Sequence, residues 1–198
     1  VLAAIILSGG ESSRMGSPKA LLPYHGRPFL EHLLDVAQHP KIGRVLVVLG
    51  PHAEQILAAV KISPESVALN PEWKKGQLSS IQTGLRRLSE DSTAPATEGV
   101  VLFLVDQPLI TGMLVDQLIA EFYRSGQPII VPSFRGKRGH PVIFAQRLYS
   151  ELMTAPLDQG ARAVVWAHAG EVFEVPTDEE GVVLNLNNPE TLRRALGG

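Results

Sequence analysis

The stretch Leu7-Ser8-Gly9-Gly10-Glu11-Ser12-Ser13-Arg14-Met15-Gly16-Ser17-Pro18-Lys19 carries residue types suited to holding an anion. Glycines let the backbone turn sharply and bring its N–H groups close to a ligand. Successive N–H groups in such a turn make an anion-binding nest. Arg14 and Lys19 add two formal positive charges. The apolar run Val1 to Leu7 just before it reads as a fully buried strand, so the loop leaves the end of a sheet. Such a loop suits a polyphosphate; the alternative is an exposed turn with ordinary surface charges. Neither G-x-x-x-x-G-K-[ST] nor G-x-G-x-x-G occurs, which removes the P-loop and the usual dinucleotide fold.

Asp106 is the sharpest single residue. It follows the run Val100 to Val105 and precedes Gln107-Pro108-Leu109. Ligands of open α/β sheets collect outside the carboxyl ends of strands, and a carboxylate there can hold Mg²⁺. Its alternative is a cap of the next helix, whose start near Thr111 lies several residues further on. Asn185 and Asn187 are expected at the end of a strand over 182–186, on one face, with Asn187 preferred as a second, uncharged metal ligand. Asn188-Pro189 as a simple turn is the competing reading. Ser79 and Ser80 open a helix, where one hydroxyl is a natural N-cap and two exceed that need. Asn70, just upstream, is placed to read a base edge.

The pattern L-S-G-G-x-S-x-R-M-G-x-x-K-x-L-L-P-x-x-G-x-P-x-L, from Leu7 to Leu30, resembles the opening signature of nucleotidyltransferases with a GT-A-like fold, nearest to the molybdenum cofactor cytidylyltransferases and guanylyltransferases. The resemblance implies that the loop wraps a nucleoside triphosphate, with Lys19 and Arg14 on its phosphates. Leu7, Ser8, Gly9, Gly10, Asn70, Ser79 and Ser80 join them in nucleotide binding. It implies Asp106 as the metal-binding aspartate of V-D-Q-P-L. Arg138-Gly139-His140-Pro141-Val142 is similar to the family's R-G-H-P motif, which places Arg138 and His140 on the acceptor. Asp158-Gln159-Gly160-Ala161-Arg162 is similar to its D-x-G-A-R element, whose role does not follow from the residues; Asp158 as a helix N-cap is the stronger alternative.

These side chains need a frame. Strands are expected at 1–7, 45–49, 67–69, 100–105, 129–131, 141–144, 172–175 and 182–186. Helices are expected near 28–38, 52–60, 79–88, 111–124, 145–152, 160–169 and 189–196, with residues 133–139 forming a turn. The alternation argues for a three-layer α/β sandwich on a mostly parallel, mixed sheet. With 198 residues, a single domain over 1–198 is expected.

The formal net charge of −2 gives no basic footprint, so nucleic acid is not an expected partner. The chain has no cysteine, which removes disulfides and thiolate sites and fits a cytoplasmic, reducing compartment. No apolar run reaches the ~20 residues that span a bilayer. The start lacks a signal-peptide pattern, and its missing methionine reads as trimming. A monomer is expected.

The reaction implied is Mg²⁺-dependent transfer of CMP from CTP to the phosphate of molybdopterin, with release of pyrophosphate and delivery to a molybdoenzyme or its chaperone. Ser79-Ser80, Gly139-His140-Pro141 and residues 158–162 favour CTP. Gly9-Gly10 and the two asparagines favour GTP. A sugar-phosphate acceptor and a non-catalytic nucleotide or cofactor carrier remain as other readings.

Overall fold

A computed structural model of the chain describes residues 1–11, 16–90 and 96–197. Arg14, and the loop residues Ser12, Ser13 and Met15 around it, lie outside the described residues.

In chain order the strands are β1 (Leu2–Ser8), β2 (Pro23–Tyr24), β3 (Arg27–Pro28), β4 (Ile42–Leu49), β5 (Val67–Leu69), β6 (Gly99–Leu104), β7 (Ile129–Phe134), β8 (Lys137–Arg138), β9 (Val142–Ala145) and β10 (Val172–Pro176). The α-helices are α1 (Phe29–Val36), α2 (Ala53–Ala59), α3 (Gln77–Ser89), α4 (Gly112–Ser125), α5 (Tyr149–Thr154), α6 (Arg162–Ala167) and α7 (Pro189–Gly197). The main sheet runs β10-β7-β9-β6-β1-β4-β5, with β8 on β7, while β2 and β3 pair as a small separate hairpin. β1 pairs in parallel with both β4 and β6, and β4 with β5. β9 runs antiparallel to β6 and β7, which makes the sheet mixed.

β1 lies at the centre because every one of its side chains is apolar or small and can be buried on either face. Alternate residues of a strand point to opposite faces. Ala4 and Ile6 join a core with Leu30 and Leu33 of α1, Ile56 of α2 and Leu118 of α4. Ile5 and Leu7 join a second core with Leu78, Ile81 and Leu85 of α3, Leu152 of α5 and Val164 of α6. That gives the three layers. A third, smaller cluster ties Leu22 and Phe29 to Leu186, with Leu192 of α7 beside it.

The chain departs from the sequence reading at four places. Residues 182–186 are no strand: Glu180–Val182 form a 3-10 turn and the chain then runs without a ladder partner to α7. The helix expected from 79 begins at Gln77, with Gly76 as its N-cap in a left-handed conformation (φ 96°) that suits glycine. Ser79 and Ser80 are therefore inside the first turn. The turn at 133–139 folds back as β8, and the helix expected over 145–152 divides into a 3-10 turn (Gln146–Leu148) and α5.

Helix α3 reaches the sheet this closely because Gly84 has no side chain. A Cβ there would lie 2.7 Å from Ile5 Cδ1, 3.1 Å from Cγ2 and 3.3 Å from Cγ1. Alanine would gain about 1 kcal/mol of helix propensity. Ile5 is fully buried, so its side chain would have to shift within the packed core, and overpacking of this kind costs about 1–3 kcal/mol. Gly84→Ala is expected to destabilise the fold by about 1 kcal/mol net. The double variant with Ile5→Val, which removes the nearest carbon, is expected to be more stable than the sum of the two single changes. Urea denaturation of all four chains measures this coupling.

Candidate active site

The carboxyl ends of β1, β4 and β6 leave the sheet together, with the chain departing to either side of β1. This is the position at which open α/β sheets collect ligands. After β1 the backbone passes between Gly50 and Ser80. A Cβ on Gly9 would sit 2.4 Å from Ser80 Oγ, and one on Gly50 would sit 2.1 Å from the Gly9 carbonyl oxygen. At Gly50 the obstacle is backbone, so the loop keeps this path only with glycine there; at Gly9 a side chain would have to turn the Ser80 hydroxyl aside. A cleft of about 220 Å³ opens here, with Ser8, Gly9, Gly10, Lys19, Ser80 and Asp106 on its walls. Trp73, His52 and Gln77 also line it; the residue pattern assigned none of the three a role.

Lys19 and Asp106 face this one cleft. The Lys19 Nζ lies 3.4 Å from Asp106 Oδ2 and donates to Asn187 Oδ1 at 2.6 Å. Both side chains of the ion pair are mostly shielded, 23% and 19% exposed. Asp106 is no helix cap: Thr111 caps α4, its hydroxyl accepting from the Leu114 N–H at 3.2 Å. Asn187 arrives because the Leu186 N–H donates to the Asp106 carbonyl at 2.8 Å. Asn185 does not share its face. Its Oδ1 accepts from Gln107 Nε2 instead, because without a strand the two positions are not held to one side.

Asn70 takes a different part from the one expected. It is buried and is absent from the cleft wall. Its Nδ2 donates to Ser79 Oγ (2.9 Å) and Ser80 Oγ (3.0 Å), and its Oδ1 accepts from the Glu72 N–H (3.0 Å). Asn70 thus orients the serines. Ser79 turns back to the Gly76 carbonyl at 2.7 Å, and of the pair only Ser80 lines the cleft.

A second, larger cavity of about 540 Å³ shares Leu7 and Gln77 with the first. Arg138 and His140 line it, together with residues 157–162. The backbone here is drawn tight. A Cβ on Gly139 would meet the Val182 carbonyl oxygen at 2.0 Å, and the His140 N–H donates to that same oxygen at 2.9 Å. Arg138 is paired with Glu174 at 2.6 Å. Burial pushes the His140 imidazole down to about 4, against a smaller opposing pull from Asp106. The ring is therefore neutral at pH 7 and able both to donate and to accept.

The family described as MobA-like NTP transferase domain matches residues 4–172. The chain belongs to that family. The MobA-like assignment makes it a nucleotidyltransferase by family, and the architecture above is the GT-A-like one of its structural neighbours. A molybdenum cofactor guanylyltransferase of Cereibacter sphaeroides is 30% identical over 98% of this chain and 95% of its own length. A nicotine blue oxidoreductase of Paenarthrobacter nicotinovorans is 28% identical over 97% of this chain and 95% of its own. The crystal structure of Rv0371c from Mycobacterium tuberculosis H37Rv superposes with a TM-score of 0.84 at 27% identity, covering 100% of this chain and 97% of that one. A manganese complex of Rv0371c superposes at 0.79, with 25% identity over 100% of this chain and 98% of that one. No helix among the described residues is long and apolar enough to cross a membrane.

Holding His140 neutral makes the fold sensitive to acid. The unfolded chain takes up this proton near 6.5, whereas the folded chain takes it up only near 4. Between those values the unfolded state binds more protons, so stability falls as pH drops through that window. From pH 7 to pH 5 this group alone is expected to remove about 2 kcal/mol. Parallel urea titrations at both pH values should give a shallower loss for His140→Gln than for the parental chain.

Proposed function

We propose that the chain is a Mg²⁺-dependent nucleotidyltransferase that moves CMP from CTP to the phosphate of molybdopterin. The observation that carries this reading is the meeting of Lys19, Asp106 and Asn187 at a glycine-walled cleft that shares Leu7 and Gln77 with a second cavity. An oxygen of the acceptor phosphate attacks the α-phosphorus and forms the new P–O bond. The bond from that phosphorus to the α,β-bridging oxygen breaks, and pyrophosphate leaves with the electron pair. The nucleophile is already an anion, so no general base is required. What remains is alignment and neutralisation of charge.

Asp106 and Asn187 fit a hard divalent ion. Both oxygens already touch one cation, the Lys19 ammonium, and among the described residues no group of three or more His, Cys, Asp or Glu side chains is arranged to hold a metal ion. Mg²⁺ needs only one or two protein ligands when phosphates and waters supply the rest. When bound, it would neutralise phosphate oxygens and make the α-phosphorus a better electrophile. Lys19 would move its charge onto the triphosphate and the departing pyrophosphate. The Gly9 backbone and Ser80 would hold the nucleotide. Arg138 and the neutral His140 would hold the acceptor. The CTP reading rests on the residues Ser79-Ser80, Gly139-His140-Pro141 and 158–162.

GTP is the second reading, and it has its own support. The Cereibacter sphaeroides relative is named a guanylyltransferase. Pyrophosphate release from CTP, GTP and ATP with molybdopterin and Mg²⁺ decides between them, with CTP expected to give the highest kcat/KM. Redox turnover of nicotine blue in the same preparation tests the oxidoreductase chemistry named for the Paenarthrobacter relative. Asp106→Ala and Lys19→Ala are each expected to lower kcat roughly 10²–10³-fold. Turnover near the parental rate at saturating Mg²⁺ would remove the residue from the mechanism. Asn187→Asp adds a charged oxygen to the ion's shell, and should reach half-maximal rate at a lower Mg²⁺ concentration.

A further inference from the structure

Residues 157–162 with Val165 and Trp166 form one wall of the second cavity, and the chemistry above leaves them without a role. Trp166 of α6 is 61% exposed and Leu157 is 44% exposed, both on this cavity. The floor opposite is apolar sheet, with Val131, Val142 and Phe144. The Arg162 guanidinium carbon stands 5.7 Å from the Trp166 ring centroid. Its Nε donates to the Gln159 carbonyl at 2.8 Å, and among the described residues the guanidinium makes no other hydrogen bond. Helix α6 is short but anchored. His168, just past its end, contacts Glu171 through Nδ1 (2.6 Å) and Glu151 through Nε2 (2.9 Å), and Val164 is buried in the core. The ring is therefore presented by a fixed element.

An indole face left in water over a cavity of this volume, which is in the range of small-molecule sites, is matched by a flat aromatic ligand. Planar heterocycles stack on tryptophan whatever their edge pattern, and an adjacent guanidinium strengthens the stack and attracts anionic substituents. A peptide or protein surface would need no enclosed cavity beside the cleft, with Leu7 and Gln77 lining both. We infer that Trp166 and Arg162 stack the planar heterocycle of the acceptor and thereby set acceptor selectivity. This rests on the molybdopterin reading above, since that acceptor is a phosphorylated pterin. The D-x-G-A-R element at residues 158–162 then gains a role, because it places Arg162 at the start of α6, one turn from Trp166.

The chain has two tryptophans, and they lie in different cavities: Trp73 in the cleft and Trp166 in the second cavity. The Trp73→Phe chain reports on Trp166 alone, and the Trp166→Phe chain on Trp73 alone. Molybdopterin is expected to quench the Trp166 emission saturably, and CTP with Mg²⁺ to quench the Trp73 emission. In turnover, Trp166→Ala is expected to raise the molybdopterin KM about tenfold while the nucleotide KM stays within about twofold, and Trp166→Phe to restore most of the loss. Unquenched Trp166 emission at saturating molybdopterin, or an unchanged acceptor KM in Trp166→Ala, overturns the inference and leaves the transferase reading standing. Failure of the parental chain to transfer any nucleotide overturns that reading instead. The quenching measurement still decides the Trp166 contact, because it needs no turnover.

Discussion

A single ammonium, that of Lys19, sits between a carboxylate at the end of β6 and an amide oxygen in the segment before α7. Those partners are 87 and 168 residues away along the chain. A partly shielded carboxylate is costly to leave unpaired, and a nearby cation offsets that cost. The contact thus closes three distant parts of the chain around one point. It also means that the cleft carries its own positive charge where phosphate oxygens would later compete for it.

The C-terminal segment owes its position to packing more than to polar contacts. Leu186 is fully buried against Leu22 and Phe29, with Leu192 of α7 alongside. Burial of a leucine contributes about 1.5–3 kcal/mol, enough to hold a stretch that has no ladder partners. Its N–H bond to the Asp106 carbonyl then sets which way Asn187 faces. Gln107 takes up Asn185. The apolar cluster and the polar pair together decide which asparagine reaches Lys19.

Close backbone approach organises the two cavities. Gly9 is squeezed between Gly50 and Ser80, and Gly139 lies against Val182. In both places a side chain would occupy the volume of a neighbouring oxygen. The first approach narrows the nucleotide cleft. The second draws the His140 backbone onto the 180–182 turn, and burial of its ring keeps the imidazole neutral. Leu7 and Gln77 line both cavities, beside the end of the central strand.

Much of this is legible in the residues alone. The apolar run of β1, the glycine loop, Lys19 and Asp106 are local signals, because a buried strand and a turn are written in consecutive positions. Hydrophobic period places most helices for the same reason. Asn70 defeats such a reading because its hydrogen bonds are satisfied by serines on α3, a contact that spacing does not reveal. The strand expected over 182–186 fails because the alternating apolar residues there serve the Leu22–Phe29 cluster and the end of β6, not a ladder. Trp73, His52 and Trp166 look like ordinary core or surface residues. Side-chain type and order are enough to specify most of the sheet's strands and the chemical character of its loop, since both arise from neighbouring positions. Which oxygens meet the lysine, and which tryptophan faces which cavity, is settled by how distant segments pack, and no local pattern records that.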